Sequence, residues 1–65
     1  MDPKVILEEM RRLDEESGEI LRKIENDIYL QMSADKHLHK TDVRKALASL
    51  ERDDLVKKSA GKWQI

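Results

Sequence analysis

Apolar residues recur at three- and four-residue spacing through most of this chain, and the spacing shortens near the C-terminal end. Ile6, Met10 and Leu13, with Leu7 beside them, form the first stripe. Glu8, Glu9, Arg11, Arg12, Asp14 and Glu15 mostly occupy the other faces. Asp2-Pro3 provides a helix start, because an Asp carboxylate accepts from a free backbone N–H and Pro tolerates the first helical position. Ser17-Gly18 provides a stop, since Gly accepts the left-handed conformation that ends many helices. Together these predict a helix over about residues 3–17.

A second stripe runs through Ile20/Leu21, Ile24, Ile28 and Met32, with Tyr29 on its edge. It predicts a helix reaching about residue 32. If the chain breaks at Asn26-Asp27, the helix is instead the shorter stretch from about 28 to 36, and periodicity leaves both readings open. Residues 33–40 are polar apart from Ala34 and Leu38 and read as a connection, with Leu38 as an anchoring core residue. Thr41 is then an N-cap candidate, and Val43, Ala46, Leu47 and Leu50 form a third stripe up to about Asp53. Beyond Asp53-Asp54, two short runs, Leu55 to Lys58 and Lys62 to Ile65, flank Ser59-Ala60-Gly61. This pattern predicts a hairpin with Gly in its turn and with Val56, Trp63 and Ile65 facing inward. An isolated hairpin is marginal in water and needs the helices behind it.

Length changes this picture only by limiting it. A chain of 65 residues is expected to form a single domain spanning 1–65, with a thin stability margin. With no cysteine and no phenylalanine, the core must come from Leu, Ile, Val, Met and the single Trp and Tyr. No thiolate metal site or disulfide framework is open to it. Charge changes the picture more. Residues 1–35 carry 5 Lys/Arg against 10 Asp/Glu, a net of -5, whereas residues 36–65 carry 8 against 4, a net of +4. An acidic half and a basic half point to a basic face meeting something negative, or to the two halves attracting each other within the fold.

The segment Leu38-His39-Lys40-Thr41-Asp42-Val43-Arg44-Lys45-Ala46-Leu47-Ala48-Ser49-Leu50-Glu51-Arg52-Asp53-Asp54-Leu55-Val56 resembles the winged helix-turn-helix superfamily. It shares an aliphatic turn residue, a short polar helix start, and a "leucine, charged residues, leucine-valine" exit into the wing. Asp54 stands where many relatives have Gly. The resemblance covers roughly the last 28 residues and implies a mainly α fold with a small β-hairpin, that is, three helices plus a two-stranded wing. The plan is similar to small archaeal regulators and to the C-terminal winged helices of archaeal replicative helicases. It also resembles the Z-DNA-binding domains, which carry a tryptophan near the end of the wing. Those domains have a tyrosine on the recognition helix and a proline pair before the tryptophan. Ala48 and Gly61-Lys62 stand in those places, so recognition of left-handed DNA is not expected.

The functional expectation is a DNA-binding module, with a recognition helix over about 41–53 in the major groove and a wing over 55–65 on the phosphate backbone. Burying Val43, Leu47 and Leu50 leaves Thr41, Arg44, Lys45, Ala48 and Arg52 on the solvent side of that helix. Lys40, Thr41, Arg44 and Lys45 fall in its N-terminal half, where base edges are met. Arg44 suits a bidentate contact to guanine, Lys40 and Lys45 suit phosphates, and Ala48 permits close approach. Lys57, Lys58 and Lys62 place cations around the turn of the wing. Trp63 is expected beneath the wing rather than against a base, being the one large aromatic ring available to a small core.

The alternative is a protein-interaction module using the acidic first helix or the wing, and a homodimer through helix one would reconcile the two readings. Asp35, His37 and His39 form D-x-H-x-H, but nothing else in the chain completes a set of zinc ligands, and surface histidines are the simpler reading. No nucleophile motif or Gly-rich phosphate loop is present, so neither catalysis, nor a cofactor, nor a small-molecule substrate is expected. The absence of a long apolar run and the acidic polar face of the first helix argue against membrane binding. A cytoplasmic or nucleoid-associated protein is expected, nuclear in a eukaryote.

Overall fold

Asp2 and Gly18 bracket the first helix as their chemistry requires. In a computed structural model, which describes residues 2–36 and 38–65 without the side chains of residues 33–36, α1 spans Pro3–Ser17. The Asp2 carboxylate accepts from the Lys4 N–H at 3.0 Å, and Pro3 opens the helix. Gly18 lies at φ 78°, and its N–H donates back to the Asp14 carbonyl at 3.0 Å. Ile6, Leu7 and Met10 are buried on the inner face, and Leu13 is half-buried.

The second apolar stripe breaks into two kinds of structure. Residues 19–24 are not helical, and α2 spans Glu25–Lys36, opening when the N–H groups of Asp27 and Ile28 donate to the Ile24 carbonyl. Both sequence expectations for this helix are corrected: it begins later than a helix through Ile20 and earlier than one starting at residue 28. Residues 33–36 belong to α2 rather than to the connection, and the helix ends at Lys36 as the shorter reading had it. Ile28 and Met32, one turn apart, are buried, whereas Ile20 and Ile24 of the same apparent stripe are exposed. Glu25 and Asp27 in the first turn sit where a helix start favours negative charge.

The third helix, α3, spans Lys40–Arg52 and buries Val43, Ala46, Leu47 and Leu50. Its N-cap is His39, not Thr41, which lies inside the first turn. The reason is Asp42: its carboxylate accepts from the His39 N–H at 3.1 Å, closing the start two residues earlier than a cap at Thr41 would. Half-buried Leu38 packs against the core as expected. At the far end the N–H of Asp54 donates to Glu51 and that of Leu55 to Leu50, at 3.0 and 2.9 Å. This is the paired return of a Schellman motif, and Asp54 occupies its left-handed position at φ 59°. The position where Gly was missing from the sequence pattern thus takes the glycine-like conformation with Asp.

Two strands, β1 (Lys57–Ser59) and β2 (Lys62–Gln64), pair antiparallel with Lys58 opposite Trp63. Ala60 (φ 51°) and Gly61 (φ 76°) form the two-residue turn, the double positive φ that a type I′ hairpin demands. On the other side of β2, Lys23 and Trp63 exchange both backbone hydrogen bonds, N to O 2.7 and 2.5 Å, adding a single rung to the sheet. Val56 and Trp63 are buried and Ile65 is half-buried, as the hairpin pattern predicts.

That rung carries a polar anchor. Lys23 is 6% exposed, and its ammonium lies 2.5 Å from Asp14 and 2.9 Å from the Leu21 carbonyl. The same Asp14 oxygen accepts from the Leu21 N–H at 2.9 Å. One carboxylate of α1 therefore fixes the extended segment that carries β2. No buried side-chain N or O among the described residues lacks a partner. Three helices and a two-stranded wing around one aliphatic core give a mainly α, winged-helix-like layout. No helix among the described residues is long and apolar enough to cross a membrane.

Candidate nucleic-acid interface

The outward side of α3 follows from its inward side. With Val43, Ala46, Leu47 and Leu50 buried against α1 and α2, the row Thr41, Lys45, Ala48 and Arg52 runs along the opposite surface, and all four are exposed. Lys40 and Arg44 flank this row on the α2 side and are exposed as well. On the other flank Lys45 and Arg52 border a shallow cleft shared with Pro3 of α1, where the Arg52 guanidinium donates to the Ser49 hydroxyl at 3.4 Å. All six α3 residues expected to contact DNA thus reach solvent.

The strand register sorts the wing lysines by face. Residues directly opposite in an antiparallel pair share a face, and neighbours along a strand alternate. Lys58 therefore shares the inner face with buried Trp63, and its ammonium lies 5.3 Å from the indole centroid. Lys57 and Lys62 fall on the outer face with Gln64 and Ser59. A cleft between α3 and the wing is bordered by Arg44 and Ala48 on one side and Lys58 and Gly61 on the other. The structure brings Lys58 to the α3 surface and leaves Lys57 and Lys62 on the opposite side of the wing.

Two acids in this cleft escaped the sequence reading. Glu25, from the first turn of α2, and Glu51 of α3 both line it. The Arg44 guanidinium donates to the Glu25 carboxylate at 3.4 Å, with the two side chains 69% and 30% exposed. Arg44, expected to meet DNA, has its acidic partner on α2. Only knowledge of where α2 begins could have exposed this, because 19 residues separate the pair. A long, half-exposed pair of this kind is worth about 0–1 kcal/mol, so it holds Arg44 weakly. Lys40 has its own neighbour, with its ammonium 5.6 Å from the Tyr29 ring centroid. Arg22 is a further cation that the sequence reading passed over: it donates to the Ser59 carbonyl at 3.2 Å and braces the turn end of the wing.

The remaining surfaces differ in kind. On α1, Arg12 is engaged by Glu9 and Glu16 of its own helix. The hydrogen bond to Glu9 first, and the charge of Glu9 second, raise the guanidinium above its ordinary pKa. Glu8, Glu15 and Glu16 remain exposed, so the surface of α1 is acidic. Where α1, the 19–24 segment and α2 meet, Leu13, Leu21 and Leu30 line an apolar groove, with Leu30 56% exposed. The D-x-H-x-H reading lies outside the described residues for the Asp35 side chain and for His37, while His39 is exposed at the start of α3. No protein-family model, curated protein or solved structure matches the chain.

Proposed function

We propose that this chain is a winged-helix module that binds double-stranded DNA, with α3 in the major groove and the wing along the phosphate backbone. The observation that carries the reading is the exposed row Thr41, Lys45, Ala48 and Arg52, bordered by Arg44 and faced across a cleft by Lys58. An α-helix fits the major groove when one side projects cleanly from the protein and is free of bulky apolar groups. Ala48 at the middle of the row allows that approach. Arg44 offers a planar fork to guanine, and Lys40, Lys45 and Arg52 offer charge to phosphates. The overall net charge of -1 does not oppose this, because the acids concentrate in the first half of the chain and local potential governs the encounter.

Fluorescence anisotropy of a labelled mixed-sequence duplex across a salt series tests the reading. Each phosphate contact adds about 0.9 to the slope of log K against log salt. Replacing Lys45 and Lys58 together by Ala should weaken binding and make the slope shallower by about 1.8. Replacing both with no change in affinity or slope would contradict the proposal.

A second reading, a protein-interaction module, is favoured by one observation. The apolar groove of Leu13, Leu21 and Leu30 draws on neither α3 nor the wing, and Ile20 nearby in the chain is 62% exposed. A homodimer formed there would leave the basic surface of each copy open. Sedimentation of the protein with and without Leu30→Glu distinguishes a dimer from a monomer.

A further inference from the structure

The cleft beside α3 is an odd place for carboxylates if its task is only to attract a polyanion. Glu25 and Glu51 both line it, and its other walls are Arg44, Ala48, Lys58, Gly61 and Trp63. Glu25 is the better placed of the two. It is held in the first turn of α2, where the helix start favours its charge, and its side chain is only 30% exposed. A ligand that approaches Arg44 therefore meets the charge of Glu25 as well. Bringing a phosphate to that spot meets repulsion, and separating the Glu25–Arg44 pair leaves a carboxylate in need of a donor.

One feature of duplex DNA answers both demands. In the major groove a G·C pair presents the N7 and O6 acceptors of guanine next to the N4 amino donor of cytosine. An arginine satisfies the first pair and a carboxylate the second. We infer that Glu25 is a specificity-determining residue: together with Arg44 it reads a G·C pair, Arg44 donating to guanine and Glu25 accepting from the cytosine amino group. An A·T pair at the same place offers an amino donor but lacks the double acceptor suited to the arginine fork, and thymine adds a methyl group. Backbone contact alone can satisfy Arg44 through a phosphate but leaves Glu25 without a donor. Glu25 thus lowers binding to unselected sequence and restores it at the right pair, which is how a repulsive group contributes to discrimination.

This inference rests on the DNA-binding reading, and the test separates the two. A randomised duplex pool is retained on the protein at low salt and the bound fraction is sequenced, for the native chain, Glu25→Gln and Arg44→Ala. Thermal melting confirms that each variant folds. The native chain should enrich G·C at a defined position by roughly fivefold or more, in line with the usual cost of a mismatched pair. Glu25→Gln should retain more of the unselected pool and lose most of that enrichment, and Arg44→Ala should lose it entirely. Retention of the native chain with the same enrichment in Glu25→Gln would overturn the role of Glu25 while leaving DNA binding intact. No retention of any duplex by the native chain would overturn the DNA-binding reading itself, and this inference with it.

Discussion

Asp54 and Ala60 hold positive φ values of 59° and 51° without being glycine. For an L-residue the left-handed region costs about 1–2 kcal/mol, which Asp offsets partly by local hydrogen bonding and Ala does not. Asp54 carries a second disadvantage, because its charge lies at the negative end of α3. Both positions end elements that frame the candidate interface. Asp54→Gly and Ala60→Asn should therefore each stabilise the fold by about 0.5–1 kcal/mol, read as a higher midpoint in chemical denaturation. A lower midpoint in both variants would contradict the backbone assignment at these turns. Asp54 was legible as a departure from the winged-helix pattern, and its conformation shows why the departure is tolerated. Thr41 was misread for a comparable reason. Its hydroxyl made it a plausible cap, but Asp42 reaches back to His39 and starts the helix earlier.

At the scale of elements, legibility tracks whether an element is fixed by local chemistry. The bounds of α1 follow from Asp2, Pro3 and Gly18, all of which act within a few residues. α3 begins and ends one residue from its expected limits because its apolar stripe sets its extent even though its N-cap is His39 rather than Thr41. The hairpin follows from Gly61 and the change of period. The 19–24 segment was not legible in this way. Ile20, Leu21 and Ile24 satisfy a helical spacing, yet the segment is held extended by two bonds to Trp63 and by the Lys23–Asp14 pair. Those partners lie 40 residues ahead and 9 behind, where periodicity carries no information. Hydrogen exchange checks this account. The amides of Lys23 and Trp63 should exchange as slowly as those in the middle of α1 and α3, while the amide of Glu19 exchanges fast. Fast exchange at Lys23 would mean that the rung to β2 does not form in solution.

For the whole molecule, the arrangement of charge matters more than its sum. The fold places an acidic α1 and a basic outward face of α3 on different surfaces, and the wing adds Lys58 to the basic one. The expected site residues are all exposed, which the helical pattern predicted for the six on α3. Their division was not predictable: Lys58 joins Arg44 across a cleft, and Lys57 and Lys62 sit on the far face. Glu25 was invisible for the same reason as the rung to Trp63, since its relation to Arg44 depends on how α2 and α3 pack. The core of Ile6, Met10, Ile28, Met32, Leu47 and Leu50 is what makes that packing definite.

The most direct test of a DNA-binding surface on α3 is an NMR titration of the labelled protein with a mixed-sequence duplex at low and at physiological salt. The account predicts shifts at Lys40, Thr41, Arg44, Lys45, Ala48 and Arg52 and at Lys58 in the wing. It predicts weaker effects at Lys57 and Lys62 and none on the exposed acids of α1, with all shifts shrinking as salt rises. An unchanged spectrum at low salt, or shifts confined to α1 and the Leu13–Leu30 groove, would contradict it.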